Sequence, residues 1–267
     1  MSFTAAWLEL REPFDRRARN GAVMKTVVAE ISQLPQITIV DLACGTGSTF
    51  RALSPKIKIS QNWQLVDNDL SLLARAPQSA STEIEVNTTP VDLNLDLEAA
   101  LDGPVDFITT SALLDLVSED WLERLIVEAA TRRLPLYASL SYDGRIEMEP
   151  ADKADKAMIA AVNRHQRTDK GFGPALGPGA ARFAIERFDR VGYEVVQGQS
   201  DWVFGPDDRE IQNEVLGGWS KAIRDLGSVP LPDVVSWLTR RRELVAAGRS
   251  TIRVGHVDFF ARPTATR

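Results

Sequence analysis

The chain has 267 residues, 44% hydrophobic and 25% charged, which is enough to bury the full core of an ordinary globular protein. Its formal net charge of -6 argues against a protein that binds mainly by neutralising phosphates, so we expect no nucleic-acid partner. The single cysteine, Cys44, excludes an intramolecular disulfide and a cysteine-based metal cluster. The two histidines lack metal-ligand spacing, and we predict no metal site.

The first residues lack the apolar core that a signal peptide needs. No later stretch approaches the roughly 20 apolar residues of a membrane-spanning helix. We therefore expect a cytoplasmic protein that has no membrane partner, and the single cysteine fits a reducing compartment.

Apolar residues at helical intervals in residues 1–33 predict two short helices, with Pro13 in a first turn. ITIVDLA, residues 37–43, is rich in β-branched residues and predicts a buried parallel strand. The glycine turn CGTG ends this strand, and a helix is expected from Ser48.

Four further strands are predicted at residues 63–67, 84–91, 105–110 and 134–142, with helical segments between them. Strands that alternate with helices imply a parallel sheet with right-handed crossovers. We assign residues 37–142 to a ligand-binding core within a single domain, 1–267.

Residues 143–180 predict a charged helix followed by a Gly/Pro-rich loop, which we interpret as a substrate or lid region. In residues 181–267 we expect a helix at 182–191, a sixth strand at 193–196 and two helices at 207–226 and 232–247. A final strand is expected at 251–261.

The residues that carry chemistry follow successive strands. Asp41 lies at the end of the first strand, and Gly45 and Gly47 let the backbone pass close to a ligand. Phe50 stands where a dinucleotide fingerprint needs its third glycine, so that fingerprint fails. Asp67 ends the second strand about 20 residues further on, where a carboxylate can accept both ribose hydroxyls. Asp92 follows the third strand and could accept from an adenine amino group.

In this order and spacing, VDLACGTG, LVDND, VDL and VDFITTSALLDLV resemble the motifs of class I S-adenosylmethionine (SAM) dependent methyltransferases. The resemblance covers residues 37–142. It implies an α/β fold with a doubly wound, mostly parallel seven-stranded sheet, helices on both faces, an antiparallel last strand and helical lid additions. SYDGR, NRHQRTDKGFGPALGP and SDW are similar to bacterial members of unassigned substrate.

The resemblance also implies the cofactor, SAM, and the residues that bind it. The turn would hold the methionine part, Asp67 with Asn68 the ribose, and Asp92 with Leu93 the adenine, while Thr110 and Ser111 would lie near the sulfonium. Within the turn, the residues assigned to the cofactor are Asp41, Ala43, Cys44, Gly45 and Gly47. Ala43 replaces a glycine that many members carry, which matters only if this position needs a positive φ.

Other residues permit two interpretations each. His165 has a pKa suited to a general base, or it is a solvated helix residue. Asp115 touches substrate or, as we slightly favour, caps the next helix. Cys44 packs against the cofactor more plausibly than it attacks as a nucleophile. A set of charged residues forms a polar pocket or a solvated face: Asp143, Arg145, Arg167, Asp169 and Lys170.

The sequence thus predicts a SAM-dependent methyltransferase that acts on a small molecule, and it leaves the accepting atom and the oligomeric state open. A side chain at Gly47 is expected to enter the space of the ligand. Residues 170–179 are expected to form a mobile lid in which Phe172 gives apolar cover, with the helices around residues 7–19 opposite. The alternatives are a nicotinamide-dependent oxidoreductase and a catalytically silent scaffold.

Overall fold

The structure, a computed structural model, describes residues 3–77 and 83–264. The outermost residues of the predicted domain 1–267 therefore lie outside the described residues. The strands are β1 Gln36–Leu42, β2 Ser60–Asp67, β3 Ile84–Pro90, β4 Phe107–Ser111, β5 Leu136–Glu149, β6 Tyr193–Gln199, β7 Trp202–Phe204 and β8 Thr251–Pro263. The helices are α1 Ala5–Ala18, α2 Gly21–Ile31, α3 Ser48–Leu53, α4 Leu70–Leu73, α5 Leu97–Ala100, α6 Glu119–Arg132, α7 Asp155–His165, α8 Ala180–Arg190, α9 Arg209–Leu226 and α10 Leu231–Ala246.

The strands form one sheet in the order β3-β2-β1-β4-β5-β8-β6, and β7 also pairs with β8. Strands β1 to β5 are parallel, whereas β8 runs antiparallel to β5, β6 and β7. The chain proceeds from β1 outward to β3 and then returns to β4 on the other side of β1. Ligands of open α/β sheets bind at such a switch point, beyond the carboxyl ends of the strands.

Apolar clusters cover both faces of the sheet. One face packs on α6 and α8 through side chains such as Leu122 and Phe188, and the other on α2 and α3 through Val27 and Leu53. A third cluster joins the far end of β5 to α7, α9 and α10 around Trp237. The carboxyl ends of β1 to β4 are thereby held at one edge of a rigid core.

The predicted fold class is confirmed: the domain is α/β, with a mostly parallel sheet, helices on both faces and an antiparallel last strand. The strand count was wrong, because the described chain has eight strands. The additional strand, Trp202–Phe204, has only three residues, which is too short for a period of two to stand out.

Two further local predictions were wrong. Residues 143–149 continue β5 instead of starting a helix, because they pair with the first residues of β8 across two register shifts. Pro13 lies inside α1, not in its first turn, and its ring lies on an exposed side of the helix. Within residues 3–77 and 83–264, no helix is both long and apolar enough to span a membrane.

Candidate functional site

The carboxyl ends of the central strands border a cavity of about 320 Å³. Its wall comes from the turn after β1, the segments after β2, β3 and β4, one side of α1 and residues 170–172. Eight of the residues that the resemblance assigns to the cofactor line this cavity: Ala43, Cys44, Gly45, Asp67, Asn68, Asp92, Leu93 and Ser111. The predicted residues Asp41, Gly47, Thr110 and His165 do not line it.

The turn after β1 is built from left-handed residues. Ala43, Gly45 and Gly47 have φ values of 54°, 55° and 84°. The Gly45 N–H donates to Asp67 Oδ2 at 2.8 Å, and the Cys44 N–H donates to the Val66 carbonyl at 2.9 Å. Position 43 thus needs the positive φ that a glycine adopts freely, and alanine there costs roughly 1–2 kcal/mol of backbone strain.

Two of the carboxylates that line the cavity, Asp67 and Asp92, lie at the ends of neighbouring strands. Asp67 accepts from the Gly45 N–H through one oxygen and from the Asp69 N–H, at 3.0 Å, through the other. Asp92 Oδ1 accepts from the Asn94 N–H at 3.0 Å. Because each carboxylate oxygen has two lone pairs, these backbone contacts orient the carboxylates and leave acceptor capacity for a ligand.

An apolar wall follows Asp92. Leu93 is buried, and its carbonyl accepts from Trp121 Nε1 at 2.6 Å, which ties this segment to α6. After β4, Ser111 and Leu113 line the cavity, whereas Thr110 is buried beneath them and its hydroxyl donates to the Leu42 carbonyl at 3.0 Å. Thr110 therefore supports the site from within the sheet.

Asp41 lies behind the cavity wall, 1% exposed. Its Oδ1 accepts from the Thr109 hydroxyl at 2.7 Å, while Oδ2 is buried without a partner among the described residues. Burial raises the pKa of Asp41 to about 7, opposed by the Thr109 hydrogen bond and the nearby Arg19. Asp41 therefore does not line the cavity, and any effect that it has on a ligand would be transmitted through the turn.

Cys44 lines the cavity, but its thiol is unsuited to nucleophilic attack. Burial raises the pKa of Cys44, and the carboxylates of Asp41 and Asp67 raise it further. The neutral thiol that results is a small apolar surface. This agrees with the packing interpretation made from the sequence.

Gly47 has a structural role. A Cβ at this position would lie 2.6 Å from Pro77 Cδ, and the residue begins α3 with a left-handed φ. The nearest obstacle to a side chain here is therefore Pro77, and the expectation that it would enter the space of the ligand stays a prediction.

His165 ends α7 and contacts Lys170, which is part of the cavity wall. Lys170 Nζ lies 3.2 Å from His165 Nδ1 and donates to the His165 carbonyl at 2.8 Å. Burial and the charge of Lys170 lower the pKa of His165. Nδ1 of His165 therefore accepts from the Lys170 ammonium, and of these two residues it is Lys170 that lines the cavity.

Asp115 does not cap α6, because the Ser118 hydroxyl accepts from the Trp121 N–H in that place. Asp115 is instead buried, 5% exposed, and burial raises its pKa to about 6. Gln166 Nε2 donates to it at 3.4 Å. The slightly favoured capping interpretation was wrong.

The loop after α7 is held by hydrogen bonds within the loop and by one hydrogen bond to Val117. Asp169 accepts from the Gly171 and Gly173 N–H groups, the Leu176 N–H donates to the Val117 carbonyl, and Arg167 donates to the Leu176 carbonyl. Lys170 is 5% exposed.

Of the predicted polar cluster, Asp143 and Arg145 lie on the extension of β5 and do not line the cavity. Arg145 pairs with Asp143 and also with Asp201, which directly precedes β7. Phe172 does line the cavity and packs edge-on against Trp121, with ring centroids 5.5 Å apart. Mobility of this loop as a lid stays a prediction.

Among the charged cavity residues that the sequence analysis missed, Arg11 and Asp15 lie on α1. Together with Leu8 they line the cavity from one side of α1. Their spacing of three and four residues is the signal that could have found them, because it places all three side chains on one face of a helix.

Solved structures share this fold at low sequence identity. A cyclopropane-fatty-acyl-phospholipid synthase-like protein from Lactobacillus casei is 13% identical with a TM-score of 0.53, covering 97% of this chain and 94% of that one. A candidate methyltransferase from Bacillus halodurans is 16% identical with a TM-score of 0.50, covering 91% and 100%. No protein-family model and no curated protein matches the chain. At these identities the similarity shows that the chain shares the fold of these proteins.

The first prediction concerns Gly47, compared with Gly103 as a control. Both have nearly the same φ, +84° and +85°, but a Cβ at Gly103 has nothing within 4 Å. We expect Gly47→Ala to lower the free energy of unfolding by about 1–3 kcal/mol more than Gly103→Ala, since only the former overpacks against Pro77. Urea unfolding of both variants measures this difference. Equal losses would mean that backbone strain alone decides and that Pro77 gives way.

The second prediction concerns the pH dependence of stability. Because burial raises the folded-state pKa of Asp41 from 3.8 to about 7, the folded protein holds a proton that the unfolded chain releases. The associated stabilisation is complete below pH 3.8 and is lost as the pH rises through about 7. The asparagine of Asp41→Asn does not titrate, so this variant lacks that pH-dependent contribution to stability.

The stability of Asp41→Asn relative to the parent should therefore rise by about 1.4 kcal/mol per pH unit between roughly pH 4 and 7. Urea unfolding at several pH values measures the difference. A difference independent of pH would show that Arg19 keeps Asp41 ionised in the folded protein.

Proposed function

We propose that the protein is a SAM-dependent methyltransferase that acts on a small-molecule substrate. The observation that carries this proposal is the cavity at the switch point, where Asp67 and Asp92 follow neighbouring strands beside the left-handed turn at Gly45. The shared fold supports it at a coarser level.

The residues around the cavity fit SAM chemically. Asp67 would accept from the ribose hydroxyls, and the buried Leu93 would pack on the adenine with Asp92 beside it. The turn at Gly45 would receive the methionine part. A cofactor with a sulfonium and an ammonium group suits acidic surroundings, whereas a pyrophosphate would be repelled by the same carboxylates.

When bound, SAM supplies a methyl group on a sulfonium that is already a good leaving group, so positioning can provide much of the rate enhancement. This chain contributes Ser111 and Leu113 after β4, which we assign to the wall beside the reacting centre. Leu116 and Phe172 would exclude water from that region. His165 is a weaker candidate for a base than the sequence indicated, because Lys170 occupies its Nδ1.

The two alternative functions receive less support. A nicotinamide dinucleotide needs close packing at the third glycine position, which Phe50 fills by packing on Trp63 with centroids 5.2 Å apart. A silent scaffold would not need to retain a cavity lined by oriented carboxylates. A cytoplasmic location and the lack of nucleic-acid and membrane partners stay predictions.

The third prediction tests the cofactor by calorimetric titration with S-adenosylhomocysteine (SAH). We expect Asp67→Asn to weaken binding of SAH at least tenfold, because hydrogen bonds to a charged acceptor contribute about 1.5–3 kcal/mol each. Asp102→Asn, an exposed residue that does not line the cavity, serves as the matched control and should bind within twofold of the parent. Tight binding of NADH by a parent protein that binds no SAH would favour the oxidoreductase.

A further inference from the structure

Arg11 is a nearly buried cation in the wall of the cavity, 8% exposed. It projects from the same face of α1 as Leu8 and Asp15, one helical turn after Leu8. A charge that lies so far out of water needs hydrogen-bond partners to offset the loss of hydration.

One edge and one face of the Arg11 guanidinium are fixed. Arg11 Nε donates to Asp15 Oδ2 at 2.9 Å, and Trp202 Nε1 donates to Asp15 Oδ1 at 2.9 Å, so both oxygens of Asp15 are engaged. The guanidinium carbon lies 4.9 Å from the centroid of the Trp202 ring. These contacts fix the plane of the guanidinium before any ligand arrives.

The other edge of the guanidinium, formed by the two Nη atoms, has no hydrogen-bond acceptor among the described residues. Arg11 has its single ion pair with Asp15, through Nε, and neither Nη atom donates a hydrogen bond within the described chain. A buried donor that stays unpaired is costly, and a planar fork of N–H groups matches the two oxygens of a carboxylate.

The neighbouring charged groups are engaged elsewhere. Asp115, a buried carboxylate that feels the charge of Arg11, accepts from the Gln166 side-chain amide and from backbone N–H groups. It forms no ion pair with Arg11 in the described chain. Lys170 donates to the His165 carbonyl and to the Thr168 hydroxyl and adds positive charge to this side of the cavity. Donor capacity in this part of the cavity is therefore concentrated in the Nη edge of Arg11.

The cavity that Arg11 lines also has apolar walls. Leu8, Leu113, Leu116 and Phe172 all line the same cavity. A ligand that fits here combines one anionic group with a compact hydrocarbon body, and Leu113 belongs to the wall that we assign to the reacting centre.

We propose that Arg11 anchors the substrate, and that the substrate is a small carboxylic acid whose carboxylate is bound by the two Nη atoms while its apolar body packs on Leu113 and Phe172. This proposal rests on the methyltransferase function proposed above. The same fork could instead take the carboxylate of the methionine part of SAM, and the experiment distinguishes the two sources.

The test uses benzoate and its neutral analogue benzamide as probes of the SAH-loaded protein, with calorimetry as the readout. The parent should bind benzoate at least tenfold more tightly than benzamide, and Arg11→Lys should abolish that preference. Lysine keeps a charge beside Asp15 but lacks the fork. Arg16→Lys, an exposed change on the same helix, is the matched control and should keep the preference. Equal affinities for the two probes in the parent, or an unchanged preference in Arg11→Lys, overturn the proposal.

A second titration separates the two sources of carboxylate. SAH and 5′-methylthioadenosine, which lacks the amino-acid part, are titrated into the parent and Arg11→Lys. Affinities unchanged within twofold support the substrate site. A loss of at least tenfold for SAH alone assigns Arg11 to the cofactor and overturns the proposal. If the parent binds no SAH, the proposed function fails, and the benzoate preference, measured on the protein without SAH, still decides the role of Arg11.

Discussion

The hydrogen bond from the Gly45 N–H to Asp67 Oδ2 fastens the turn after β1 to the end of β2, and the cavity depends on it. Three left-handed residues, Ala43, Gly45 and Gly47, bend the chain so that this N–H can point across to the neighbouring strand. The parallel pairing of β1 with β2 and β4 brings the segments after all three strands to the same edge. One backbone donor thereby orients a carboxylate and shapes the wall of the site.

The cavity wall carries polar groups of both charges. Near the turn, carboxylates at 67 and 92 favour a ligand that carries positive charge and hydroxyl groups. Near α1, Arg11 offers N–H donors among apolar side chains. Because α1 also holds Arg51 through Glu12, the helix that supplies Arg11 is tied to α3, which follows the turn. The proposed cofactor and the proposed substrate would therefore be recognised by groups of opposite charge within one cavity.

Most of the fold follows from the sequence, because long apolar runs such as residues 37–43 and the glycine turn after them have few alternative structures. Pairing over long distances was missed: β7 and the extension of β5 exist because β8 offers them partners. The carboxylates at strand ends were found, since a parallel sheet fixes where its strands end. Arg11 was missed because a charge on an amphipathic helix resembles a solvated one until its neighbours, here Asp15 and Trp202, are known.

The most direct measurement is a crystal structure of the protein grown with SAH. If SAM binds in this cavity, the electron density should place the ribose of SAH at Asp67, the adenine at Leu93 and the sulfur close to Ser111. The amino-acid part should lie at the Gly45 turn, with the Nη edge of Arg11 still open beside it. Density for SAH elsewhere on the protein, or a cavity that stays empty at saturating SAH, would contradict the assignment of this site to SAM.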